Sequence, residues 1–185
     1  MKKIFFINLF MALFIILVLS LNSQAPASAT SADSTSTTGT GSESASVSAS
    51  DCFVSLDGSD SNPGTEKKPW KTIQKAAKSA VPGSTVYIKA GTYYERINMK
   101  VSGTKDGGAI TFRNYNNDKV IIDGSKSSAS EQEDMIHISN KDYIKLIGLE
   151  ITNNVNKDTD YFITGIGIWG KGEGIEIRDC KLHHI

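Results

Sequence analysis

The chain has no excess charge of either sign: 20 Lys and Arg stand against 20 Asp and Glu in 185 residues. That balance removes the electrostatic footprint expected of a nucleic-acid or anionic-membrane binder. Cysteine is nearly absent, with only Cys52 and Cys180, so no disulfide framework can hold a fold together. No cysteine closely follows the one long apolar run, which argues against a lipid anchor. Residues 30–50 lack large apolar side chains altogether, apart from Val47. Such a stretch cannot bury enough surface to offset its ordering entropy, and it reads as a solvated Ser/Thr-rich linker.

What is present begins with an export signal. Met1-Lys2-Lys3 precedes an apolar segment from Ile4 to Leu21, followed by Ala27-Ser28-Ala29, small residues that fit a signal-peptidase pocket. Cleavage after Ala29 is expected, giving a signal peptide at 1–29, a linker at 30–50 and a folded domain at 51–185. An uncleaved anchor is the alternative, since the run approaches the ~20 apolar residues that span a bilayer. The expected location is secreted, extracellular or cell-wall associated, with no membrane contact after cleavage.

The folded part opens with the short strand Cys52-Phe53-Val54-Ser55 and a loop of turn formers through Pro63-Gly64. Apolar residues then fall at Ile73, Ala76, Ala77 and Ala80, the spacing of one helical stripe, so a helix is expected over Thr72 to Ala80. Lys71, Gln74, Lys75 and Lys78 are assigned to its wet face, and Pro82-Gly83 to its end. After Gly83 the chain becomes a series of three- to five-residue β-branched runs, among them Thr85–Ile88, Ala109–Phe112, Val120–Ile122 and Met135–Ile138. Their connections lack the Asn-Gly and Asp-Gly signals of tight hairpins.

An internal repeat explains them. Ile136-x-Ile138, a polar turn, then Ile144-x-Leu146-x-x-Leu149-x-Ile151 recurs as Ile166-x-Ile168, a turn, then Ile175-x-Ile177-x-x-Cys180-x-Leu182. A unit of three short strands cannot bury its own apolar face, so successive units stack as coils. The expected class is all-β: a right-handed parallel β-helix with an N-terminal capping α-helix. No cap follows His183-His184-Ile185, which predicts a fold truncated at its C-terminal end. Cys180 replaces Leu149 of the preceding coil and is expected to be a buried free thiol.

Residues 53–95 resemble the N-terminal cap and first coil of pectate lyase-like β-helix proteins, with polysaccharide lyase family nine as the nearest likeness. Two stretches carry the likeness: Asp57-Gly58-Ser59-Asp60 through Pro69-Trp70-Lys71-Thr72-Ile73-Gln74-Lys75-Ala76, and Val86-Tyr87-Ile88-Lys89-Ala90-Gly91-Thr92-Tyr93. The resemblance implies a polysaccharide lyase acting on pectate or a related uronan. There Ca2+ held by aspartates neutralises the substrate carboxylate, and a lysine removes the neighbouring proton. By the same resemblance those catalytic groups lie beyond Ile185, so this chain alone is expected to be inactive. The implied partner is an acidic polysaccharide such as polygalacturonate, met by a monomer. A non-catalytic carbohydrate- or surface-binding β-helix, and a glycoside hydrolase or epimerase on the same scaffold, remain open.

Within the chain, acidic residues collect before two successive first strands: Glu131, Glu133 and Asp134, then Asp158 and Asp160. Coils stack ~4.8 Å apart. Glu133, Asp158 and Asp160 could therefore meet as an oxygen-rich metal site, or remain solvated loop charges. Alternation that turns Ile136, Ile138, Ile166 and Ile168 inward sends His137, Ser139, Gly167 and Trp169 outward. Trp169 could then stack on a sugar and His137 hydrogen-bond it, or a loop could cover both. His183 and His184 read as turn residues whose side chains diverge, a poor joint metal site.

Overall fold

The computed structural model describes residues 50–126, 134–154 and 164–185. Among them the elements run β1 (Cys52–Val54), α1 (Ile73–Ser79), β2 (Thr85–Ile88), β3 (Gly91–Tyr93), β4 (Ile97–Asn98), β5 (Ile110–Asn114) and β6 (Val120–Asp123). They continue as β7 (Asp134–Ser139), β8 (Ile144–Ile147), β9 (Glu150–Thr152), β10 (Thr164–Trp169), β11 (Glu176–Arg178) and β12 (Lys181–His183). Three sheets form: β1-β2-β5-β8-β11, β10-β7-β4 and β12-β9-β6-β3. Every strand pair is parallel. Each coil gives one strand to each sheet, which is the right-handed parallel β-helix the repeat calls for.

The register reproduces the repeat. Ile166 and Ile168 lie beside Ile136 and Ile138, Ile177 beside Leu146 and Leu182 beside Ile151. Inward positions therefore form continuous ladders such as Val86–Phe112–Leu146 and Tyr93–Ile122–Ile151, and all six of these residues are buried. Strands β3 and β4 lie outside the runs legible in the sequence. Two or three residues carry too little alternation to be read alone, and they become strands only by pairing with β6 and β7.

The helix occupies the predicted span, with Thr72 as its N-cap and Ala80 as its C-cap. The Thr72 hydroxyl accepts from Lys75 N–H at 3.0 Å. Asp60 accepts from the Lys71 and Thr72 amides, and Glu95 from those of Ile73 and Gln74, both at 2.9 Å. The otherwise unpaired amides of the first turn are thus satisfied by carboxylates from outside the helix. Gln74 departs from its expected place on the wet face. Its side-chain oxygen accepts from Asn98 N–H at 2.7 Å, and its nitrogen donates to Asn98 C=O at 3.0 Å. The amide thereby supplies edge strand β4 with the pairing a further strand would give.

Trp70 anchors the loop before the helix, buried and donating from Nε1 to Asn62 C=O at 2.9 Å. Gly64, at φ 85°, lies so close that a Cβ would sit 2.5 Å from the indole. Glycine is required there on both counts. The two cysteines are free. Cys180 is half-buried rather than buried, because it belongs to the last described coil and lacks a layer above it.

Candidate functional site

Strand β7 lies at the centre of the three-stranded sheet. Its outward residue His137 is flanked in register by Asn98 of β4 and Gly167 of β10. Strict alternation would turn Asp134 inward, yet Met135 and Ile136 are both fully buried. The alternation slips at that apolar pair, and the Asp134 carboxylate emerges on the same side as His137. One of its oxygens lies 2.6 Å from His137 Nδ1 and accepts from Trp169 Nε1 at 2.8 Å. The other accepts from the Thr164 hydroxyl. Gly167 makes room for this cluster, since a Cβ there would fall 2.2 Å from the carboxylate carbon.

Beneath the cluster, Arg96 donates to the Asp134 carbonyl at 3.4 Å and to Asn154 Oδ1 at 2.7 Å. Asn154 in turn donates to Thr164 C=O at 2.8 Å. Burial pushes the Asp134 carboxyl upward, but the donors Thr164, His137 and Trp169 outweigh it and hold the group below the usual carboxylate range. An ionised Asp134 accepts from His137 Nδ1–H and fixes the orientation of the ring, whose side chain is 28% exposed. Trp169 is 49% exposed, with only its N–H engaged. The arrangement can present an indole face to a sugar ring and an oriented imidazole to one of its hydroxyls.

The sequence pointed to His137 and Trp169, and the structure joins them through Asp134, which it had grouped with the loop acids. Residues i and i+3 of a regular strand lie on opposite faces. Only the slip at Met135-Ile136 lets Asp134 and His137 meet, and that adjacent apolar pair was its one signal. Thr164, Arg96 and Asn154 carried no signal. Glu133, Asp158 and Asp160, the expected metal ligands, lie outside the described residues. Among the described residues, no group of three or more His, Cys, Asp or Glu side chains is arranged to hold a metal.

The two histidines near the end do not diverge as expected. His183 belongs to β12, and His184 adopts a left-handed φ of 53° that turns its ring back. Their Nδ1 atoms approach to 2.7 Å, while His183 Nε2 meets Glu150 at 2.8 Å.

A continuous solenoid of three parallel sheets under a helical cap defines the class of carbohydrate-related, pectate lyase-like β-helices. The chain belongs to the Pel9A-like, right-handed β-helix family, whose model matches residues 52–185. It is 41% identical over 134 residues to the uncharacterized protein YwoF of Bacillus subtilis, covering 72% of this chain and 28% of that protein. It is 35% identical over 118 residues to pectate lyase PEL9 of Emericella nidulans, covering 57% of this chain and 28% of the relative. The chain thus spans little more than a quarter of the length of either. Among solved structures, a rhamnogalacturonan lyase superposes with a TM-score of 0.60 at 23% identity, over 73% of this chain and 36% of that one. A lacto-N-biosidase from Eubacterium ramulus gives 0.60 at 19%, over 73% and 27%. These two structural likenesses concern the fold alone.

Proposed function

We propose that this chain is the capped N-terminal part of a secreted polysaccharide lyase-like protein that acts on pectate or a related uronan. The outward face of β4-β7-β10 contacts the sugar chain through Trp169 and His137. The observation that carries this reading is the Asp134 cluster: a buried carboxylate orients an exposed indole and an imidazole on one sheet face of a protein in a pectate lyase-like family. An exposed tryptophan tied down by its N–H keeps its ring orientation before a sugar arrives, which lowers the ordering cost of stacking.

On this reading, export follows from residues 1–29 and display at a distance from the linker 30–50. By the family resemblance, calcium and the proton-abstracting lysine are assigned to the part of the relatives' length that this chain does not span. No step of β-elimination is assigned to His137. The parent protein, incubated with polygalacturonate and calcium, should generate unsaturated product detectable by ultraviolet absorbance. Trp169→Ala should weaken polygalacturonate binding by about tenfold, in line with ~1–1.5 kcal/mol for an aromatic contact. Unaltered binding by that variant would remove the stacking role. Failure of the parent to form unsaturated product would leave a carbohydrate-binding β-helix as the better account.

A further inference from the structure

A second feature lies on the outer face of the five-stranded sheet. Arg113, Ile147 and Arg178 stand side by side in register on β5, β8 and β11. The two arginines line a cleft of about 480 Å³ together with Asn114, Asn117, Asp179 and, on its floor between the arginine-bearing strands, the buried Ile147 and the adjoining Gly148. Gly148, at φ 69°, keeps that floor low: a Cβ there would meet Asn114 Oδ1 at 2.5 Å.

The two arginines are not equivalent. Arg178 is neutralised by Glu176 at 3.4 Å and Asp179 at 3.8 Å. Arg113 has no carboxylate partner among the described residues, and its Nε is shielded from solvent without a hydrogen bond. A shielded guanidinium N–H left unpaired costs stability and returns nothing to the fold. Beside it in the same row, Tyr87 stacks on Phe53 with ring centroids 5.4 Å apart. Tyr115 packs edge-on to both. A planar, forked donor at the mouth of a polar cleft, next to an aromatic shoulder, is suited to a carboxylate carried on a sugar ring.

We propose that this cleft is a second binding site for acidic glycan, with Arg113 taking the uronate carboxylate. The choice of a uronate rests on the pectate-like reading above, whereas the site itself rests on the unpaired guanidinium. The test is a 1H–15N NMR titration of the full chain with trigalacturonate, following the Gly148 amide at the cleft floor. Trigalacturonate should shift that resonance, and Arg113→Met should weaken the local titration by at least about tenfold, with Arg113→Lys recovering part of it. Fully methyl-esterified trigalacturonate and acetate should each bind at least about tenfold more weakly than trigalacturonate, because one lacks the charge and the other the ring. Arg113→Met should also melt no lower than the parent, so a loss of binding is not a loss of fold. A Gly148 amide that ignores trigalacturonate, an Arg113→Met titration within about twofold of the parent, or equal binding of acetate or the ester would overturn the proposal. Shifts confined to Gly167 and Trp169 would overturn it too, and would leave the proposed sugar-binding face standing.

Discussion

The last described coil and the coil before it hold the same kinds of residue at the same register positions, yet only the earlier one buries them. Leu146 is 0% exposed and its partner Ile177 41%; Ile151 is 0% and Leu182 44%; Ile138 is 1% and Ile168 49%. Strand alternation decides which side chains face inward, but the neighbouring coil decides whether they leave water. At the N-terminal end that neighbour is α1, whose Ala76 and Ala77 are fully buried. Cohesion in this fold therefore lies between coils rather than within them.

The sharpest way to break that comparison is to truncate matched partners. Leu146→Ala should cost ~2–5 kcal/mol, through lost transfer energy and a residual cavity. Ile177→Ala should cost under ~1 kcal/mol, because much of its side chain already meets water. Urea unfolding of the two variants measures both losses, and equal losses would mean that the last described coil is as tightly held as the coil before it. Glycine offers a second contrast, of smaller size. Gly64→Ala would force a Cβ to 2.5 Å from the Trp70 indole, and should cost ~2–3 kcal/mol by strain and overpacking. Gly170→Ala, also at positive φ, meets the side-chain amide of Asn140, whose oxygen would lie 2.3 Å away. That group can rotate aside, so ~1 kcal/mol is expected.

The two ends also differ in how they respond to acid. Asp134, beside β10, is held below its ordinary range, so its contribution is fully present above the unfolded value of ~4 and is lost as pH falls toward the folded one. Glu95 at the cap behaves oppositely: burial pushes it up more strongly than the Gln74 and Ile73 amides pull it down. Its raised value favours the folded state below the unfolded value of ~4.3, and that advantage is lost as pH rises through the folded value. Asp134→Asn should destabilise by ~1–3 kcal/mol at neutral pH, since the amide must face three donors with one acceptor, and the deficit should shrink on acidification. Glu95→Gln should behave in the reverse sense, its deficit relative to the parent growing as pH falls. Urea midpoints at pH 7 and pH 4 read both signs, and a Glu95→Gln deficit that shrinks with acid would reverse the assignment for the cap.

How much of this was legible follows from which interactions are periodic. The ladders Ile136–Ile166 and Leu146–Ile177 could be read because identical positions recur at a fixed interval. The helix could be read because Ile73, Ala76, Ala77 and Ala80 form one stripe. The Asp134 cluster was half legible: alternation put His137 and Trp169 outside, but the carboxylate that joins them depends on a local break in that alternation. Arg113 gave no sign at all. An arginine on the outer face of a strand is ordinary, and only the absence of a carboxylate partner among the described residues sets it apart.

Gln74 marks where the cap and the sheet meet, and it gives the smallest and most local test. Its amide satisfies the N–H and C=O of Asn98 on β4 from the side opposite β7. Residue 98 is only half-buried, so water can replace part of what is lost, and Gln74→Ala should cost ~1 kcal/mol, near the net value of one hydrogen bond. Gln74→Glu keeps the acceptor for Asn98 N–H but removes the donor for Asn98 C=O and adds a charge close to Glu95. It should therefore destabilise more than alanine does at pH 7, and the gap between the two variants should narrow as pH falls and the carboxylates protonate. Amide exchange at Asn98 reads the same contact directly. Its protection should fall in Gln74→Ala while that of Phe112, deep in the second full coil, is unchanged. Equal loss at both positions would show that the cap and the coils open as one unit, and that the helix holds the solenoid together rather than covering its first edge.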